Sequence, residues 1–184
     1  MKIAFLDRDG TIVKDYPDED WKHKVVPEVL NGAIEGMLLL NQLGFEIIIV
    51  TNQYIINDGI ITLDEYNEFT NHLKAIFDLN GIKVLDIFYC PHSESEQCNC
   101  KKPRTGMIRM AIEKYPFIEL DKSLMIGDSL SDEAFARSMS LKFFMIDSNA
   151  EMNEDKYHSI KDVIIKNIGT GHEHVEKCHN EVNL

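Results

Sequence analysis

Five short apolar runs recur along the chain: KIAFL at 2–6, EIIIV at 46–50, LDIFY at 85–89, SLMI at 123–126 and KFFMI at 142–146. No other feature limits the fold as strongly, because runs this short and rich in β-branched residues have the length of strands rather than helices. The stretches between them have helical spacing. In 28–44, Val29, Ala33, Met37, Leu40 and Leu43 share a face and Gly44 follows as a stop. The stretch 62–80 opens on TLDE, a capping-box pattern, and carries Tyr66, Phe69, Leu73, Ile76 and Phe77. Strand and helix alternate, which predicts an α/β fold with a mostly parallel sheet covered on both faces. Such sheets gather ligands at the carboxyl ends of their strands.

With 184 residues, 44% of them hydrophobic, the chain suits one core rather than two. A single domain over 1–168 is expected, followed by a flexible tail, GTGHEHVEKCHNEVNL, over 169–184 that contains Cys178. The opening MKIAFLD meets a charge early, and no run approaches about 18 apolar residues, so neither export nor membrane insertion is expected. A cytoplasmic monomer follows, and in that reducing compartment clustered cysteines stay free or bind metal. The net charge of -12 disfavours nucleic acid as a partner. An anionic substrate would need a local cationic pocket or a metal ion.

The residues that follow the first four runs carry the chemistry. They are Asp7-Arg8-Asp9-Gly10-Thr11, Thr51-Asn52-Gln53, the Cys/His loop YCPHSESEQCNCKKP at 89–103, and Gly127-Asp128-Ser129. Parallel strands would deliver all four to one rim. Asp7 and Asp9, at the end of a strand, can point into one region while Arg8 points elsewhere. Two such carboxylates repel unless one holds a proton or a cation lies between them. A hard divalent ion such as Mg²⁺ answers that need, with Asp128 as a further ligand. With phosphate on the same ion, one aspartate can attack phosphorus while the other handles protons. The plainer reading of DRDGT is an Asp-rich turn. Thr51 offers a hydroxyl and an N–H to a phosphoryl oxygen, or simply caps a turn. Lys101 and Lys102 stand before GMIRMAIEKY, near a helix start that favours anions, or are two solvated lysines. Asp132 reads as readily as a first-turn acid complementing a helix dipole.

In order, FLDRDGT, VTN, CKKP and IGDSLSD resemble the four motifs of the haloacid dehalogenase-like phosphohydrolases, over about residues 2–147. That resemblance implies a three-layer, Rossmann-like fold without a large cap domain, and a phosphomonoesterase that works through a phosphoaspartate. It makes Asp7 the nucleophile, Asp9 the general acid/base, Thr51 the phosphate hydroxyl and Lys102 the cation beside the phosphoryl group. Asp7, Asp9 (through its backbone carbonyl) and Asp128 become the Mg²⁺ ligands. Arg8, Asn52, Gln53, Lys101 and Arg104 are the substrate-binding candidates.

The loop Cys90-Pro91-His92 with Cys98-Asn99-Cys100 resembles that of a zinc-containing branch, the heptose bisphosphate phosphatases and the histidinol-phosphatase domain. Cys90, His92, Cys98 and Cys100 then form a closed, structural Zn²⁺ site that positions the lysines. Two departures concern substrate. An arginine usual after Thr51-Asn52-Gln53 is absent, and Ser129 stands where a basic residue is common. A small phosphorylated metabolite is expected, first a heptose 1,7-bisphosphate and then histidinol phosphate, with a nucleic-acid 3′-phosphate behind them. A receiver-like domain would carry its acidic pair and phosphoacceptor on different strands. A zinc-stabilised binding module would not need Asp7, Asp9 and Asp128 together.

Overall fold

Side chains along the first strand, β1 (Ile3–Leu6), alternate between two cores: Ala4 and Leu6 enter one, Ile3 and Phe5 the other. The second strand, β2 (Glu46–Asn52), repeats this with Ile47 and Ile49 against Ile48 and Val50. A strand buried on both faces needs apolar residues at every position, which is why these runs show no polar alternation. Each fully buried side chain of this kind contributes roughly 1.5–3 kcal/mol.

The computed structural model describes residues 1–147 and 156–168. The remaining strands are β3 (Val84–Cys90), β4 (Leu124–Gly127) and β5 (Lys142–Met145), and every pairing is parallel, in the order β3-β2-β1-β4-β5. Helices α1 (Ala33–Gln42), α2 (Leu63–Leu79) and α5 (Ile160–Asn167) cover one face through Met37, Leu40, Leu73, Phe77 and Val163. Helices α3 (Gly106–Lys114) and α4 (Leu130–Ser138) cover the other through Met107, Ile108, Phe135 and Ala136. This is the three-layer α/β architecture expected, and the described residues include no cap domain. The chain winds outward in opposite directions from β1 and β4, so a crevice opens where these two neighbours end. Among the described residues, no helix is long and apolar enough to cross a membrane.

The capping box expected at Thr62 is present: its hydroxyl accepts from the Glu65 N–H, and the Glu65 carboxylate accepts from the Thr62 N–H. The helix expected from 28 instead starts at Ala33. Val29 pairs with Val13 as extended chain, and Gly32 then adopts a left-handed φ of 75° that no helix interior allows. Local periodicity cannot register a partner as remote as Val13. The expected tail, with Cys178, lies outside the described residues.

Candidate active site

Strand ends place the acidic residues. The Asp7 N–H continues the sheet by donating to the Ile126 carbonyl at 2.9 Å, so Asp7 sits beside the end of β4, where Asp128 follows. Gly10 makes the close approach possible. A Cβ there would lie 1.9 Å from Asp128 Oδ2, and its φ of +82° is strained for any other residue. Carboxylate oxygens of Asp7, Asp128 and Asp132 lie within 4.8 Å of one another, on the wall of a cleft of about 250 Å³.

Lys102 closes this cluster from beneath. Only 4% exposed, it donates from Nζ to Asp7 Oδ1, to Asp132 Oδ1 at 2.7 Å and to the Val50 carbonyl at 2.8 Å. All three protons of the ammonium are therefore engaged. Burial draws the Lys102 pKa down, but Asp7 and Asp132 outweigh it and hold the side chain as a cation. Asp7 is pushed well above the carboxylate range by burial, against the pull of Lys102 and with Asp132, Asp9 and Asp128 adding repulsion. Asp128 is pushed up to about 6, by burial first and then by Asp132. Such crowding of hard oxygens around one point is the donor set a divalent cation of the Mg²⁺ type satisfies.

Lys102 is fixed through its backbone. Asn52 accepts from the Lys102 N–H at 2.8 Å and donates to the Lys102 carbonyl at 3.1 Å. Asn52 also pairs with Cys90 in the sheet, and the Gln53 N–H donates to the Cys90 carbonyl at 2.7 Å. The Cys/His loop thus begins at the neighbouring strand end and returns to the acidic cluster.

In that loop the Sγ atoms of Cys90, Cys98 and Cys100 and the His92 Nδ1 lie 3.1–3.5 Å apart along five of their six separations. Disulfides are ruled out by these distances. They approach the ~3.5–3.8 Å edges of a tetrahedron with ~2.3 Å metal–sulfur bonds. Burial raises Cys90, whereas at Cys98 the Lys101 N–H and the neighbouring thiols outweigh burial and bring it down to about 7. The four groups can hold a metal ion, and the donor chemistry suits zinc.

The family model described as Polynucleotide kinase 3 phosphatase matches residues 2–163. This chain belongs to that haloacid dehalogenase-like phosphatase family. Over 152 residues it is 36% identical to a probable D-glycero-D-manno-heptose-1,7-bisphosphate 7-phosphatase of Thermoplasma volcanium, covering 79% of this chain and 99% of that one. It is 30% identical to the histidine biosynthesis bifunctional protein HisB of Blochmanniella floridana, a match that spans all of this chain but half of the relative. A crystal structure of D,D-heptose 1,7-bisphosphate phosphatase from B. bronchiseptica, complexed with magnesium and phosphate, superposes with a TM-score of 0.76. It is 23% identical and covers 90% of this chain and 97% of its own, a likeness of fold.

The phosphatase places the expected site residues unevenly. Asp7, Asp9, Thr51, Asn52, Gln53, Lys102 and Asp128 line one cleft. Gln53 anchors Asp9, donating from Nε2 to Asp9 Oδ2 at 2.7 Å and to Thr51 Oγ1 at 2.9 Å. Arg8, expected to meet substrate, is instead 2% exposed and turned into the core, because aromatic rings close over it. Lys101 pairs with Glu94 at 2.8 Å and lies over the Tyr54 ring, while Arg104 donates to the Cys98 carbonyl; neither lines the cleft. Helix α3 starts at Gly106, where GMIRMAIEKY begins, with the two lysines in the turn before it as expected. The sequence suggests a helix acid at Asp132. It is one, capping α4 with Ser129, but its other oxygen holds Lys102. Its spacing from Asp128 was the available signal. Asp15, Tyr16, Asp18, Trp21 and Tyr54 also line the cleft; they belong to the loops 14–27 and 54–61, to which substrate selection falls in a chain without a large cap, although the sequence does not single them out one by one.

Proposed function

We propose that this phosphatase is a Mg²⁺-dependent phosphomonoesterase acting through a phosphoaspartate on Asp7, with D-glycero-D-manno-heptose 1,7-bisphosphate as substrate. The observation that carries the mechanism is the Asp7 carboxylate, 6% exposed at the cleft wall between Lys102 and Asp128. The substrate rests on the heptose bisphosphate phosphatases among its relatives.

Asp7 and Asp128, with the Asp9 carbonyl, would hold the magnesium, which when bound offsets carboxylate repulsion and draws charge from the phosphoryl oxygens. Asp7 attacks phosphorus and the ester oxygen leaves with a proton from Asp9, giving the alcohol and an aspartyl phosphate. Asp9 then takes a proton from water as it attacks the same phosphorus, releasing phosphate and restoring Asp7. Lys102 steadies charge on Asp7, and the Thr51 hydroxyl faces the transferred group. The Cys90, His92, Cys98 and Cys100 clasp would hold Zn²⁺ with no open position and so orders the loop without entering the reaction.

Initial rates in Mg²⁺ over heptose bisphosphate, histidinol phosphate and a 3′-phosphorylated oligonucleotide test the reading. The highest kcat/KM is expected on heptose bisphosphate. Preference for histidinol phosphate would move the substrate assignment, and inactivity on all esters would remove the mechanism.

A further inference from the structure

Arg8 is the largest side chain among the most deeply buried residues, yet it carries a charge. Its guanidinium carbon lies 5.0 Å from the Phe69 ring centre, 5.4 Å from Trp21 and 5.6 Å from Tyr66. Trp21 and Phe69 meet edge to face at 5.4 Å, closing the box. From inside it, Nε donates to Asp9 Oδ1 at 2.7 Å and Nη2 to Asp9 Oδ2 at 2.9 Å. Nη1 is buried and has no hydrogen-bond partner among the described residues.

Packing alone does not account for the arrangement. Taking an ion out of water costs several kcal/mol, and an apolar side chain of similar volume would fill the box without that penalty. Cation–π contacts return about 0.5–2 kcal/mol each. What an apolar side chain cannot supply is a planar, rigid fork matched to a carboxylate. Rotamer freedom is the quantity at stake, since Asp9 lies in the cleft with Gln53 and Thr51 as its other side-chain donors among the described residues.

We propose that Arg8 is a positioning residue for Asp9: locked among Trp21, Tyr66 and Phe69, its guanidinium aims the Asp9 carboxyl group at the leaving oxygen. This rests on the reading of Asp9 as the acid/base group. Trp21 belongs both to the box and to the cleft wall, so the loop that meets substrate also sets the Arg8 position. Arg8 itself touches no substrate.

The test compares the first turnover of two esters in Mg²⁺, ahead of the water attack in which Asp9 serves both alike: a sugar phosphate, whose alkoxide needs a proton to leave, and p-nitrophenyl phosphate, whose leaving group does not. Positioned acid catalysis is worth about 10²–10⁴-fold. Arg8→Met is expected to lower the first-turnover rate of alcohol release about 100-fold on the sugar phosphate and less than about 5-fold on the aryl ester, with Arg8→Lys between Arg8→Met and the parent. Phe69→Leu, which loosens the box and retains the fork, gives the same split at smaller size and serves if Arg8→Met does not fold. Equal losses on both esters would mean a purely structural role and overturn the proposal. Asp9→Asn separates the two levels. If it shows no split, the acid/base reading fails; if it splits the esters and Arg8→Met does not, only the role of Arg8 fails.

Discussion

Lys102 and Asp132 form an ion pair at 2.7 Å in which both side chains are almost wholly inaccessible to water. The pair ties the loop after β3 to the first turn of α4. Asp132 Oδ2 meanwhile accepts from the Ser129 hydroxyl at 2.5 Å and from the Ser129 N–H at 3.2 Å. Removing one partner of a buried pair leaves the other charge uncompensated, a loss of about 3–5 kcal/mol. Because Asp7 still faces Lys102, Asp132→Ala should lie near the lower end, about 3 kcal/mol by urea unfolding. A loss under about 1 kcal/mol would show that the pair behaves like a surface one.

Asp7→Asn should abolish turnover, by roughly a thousandfold or more, since an amide oxygen is a poor nucleophile toward phosphorus. Trapping during turnover should label the parent protein with phosphate at Asp7 and leave Asp7→Asn unlabelled. Labelled Asp7→Asn would place the covalent step elsewhere.

Gly10→Ala should fold less stably and bind Mg²⁺ poorly. The new methyl would occupy the space of the Asp128 carboxylate, 1.9 Å from Oδ2, on a backbone that disfavours it. Isothermal titration with Mg²⁺ should show at least about tenfold weaker binding, with Gly81→Ala, where no atom crowds the site, as the control for φ alone.

Protons should compete with Mg²⁺. The Asp128 pKa of about 6 is above its ordinary value, so the folded protein binds a proton here that the unfolded chain has lost. Without metal, this group therefore favours folding less as pH rises from about 4 through 6. Mg²⁺ needs the ionised form, so its stabilisation should grow in the opposite direction. The Mg²⁺-induced rise in Tm is expected to be larger at pH 7.5 than at pH 5.5, and equal rises would exclude Asp128 as a ligand.

Purified protein should carry close to one zinc per chain, held by Cys90, His92, Cys98 and Cys100. Chelation or Cys98→Ser should lower Tm and reduce kcat together, because Lys102 is two residues from Cys100. Zinc-free protein with full stability would refute the structural role.

Several of these features can be traced in the sequence, and the rest have identifiable reasons for being hidden. The strands stood out because β-branched runs such as EIIIV are buried on both faces, and Thr62 with Glu65 marked its helix start through a local bond. Asp7, Asp9 and Asp128 were visible because strand ends in a parallel sheet share a rim. Arg8 was misjudged because its place depends on Trp21, Tyr66 and Phe69, which converge only when α2 packs. Asn52 looked like a ligand for substrate, yet its amide is spent on the Lys102 backbone fifty residues away. Amide side chains carry no sequence signal that distinguishes the two uses.

The turn between the two halves of the Cys/His clasp has its own consequence. Glu94, Ser95, Glu96 and Gln97 are exposed, and the chain on either side is tied down by Cys90 and His92 before it and Cys98 and Cys100 after it. Its composition is thereby uncoupled from the core. Beyond its two anchored ends only surface bonds hold the segment among the described residues, Lys101 to Glu94 and Asn57 to Glu96, so a change in its length or charge should cost the packed interior little.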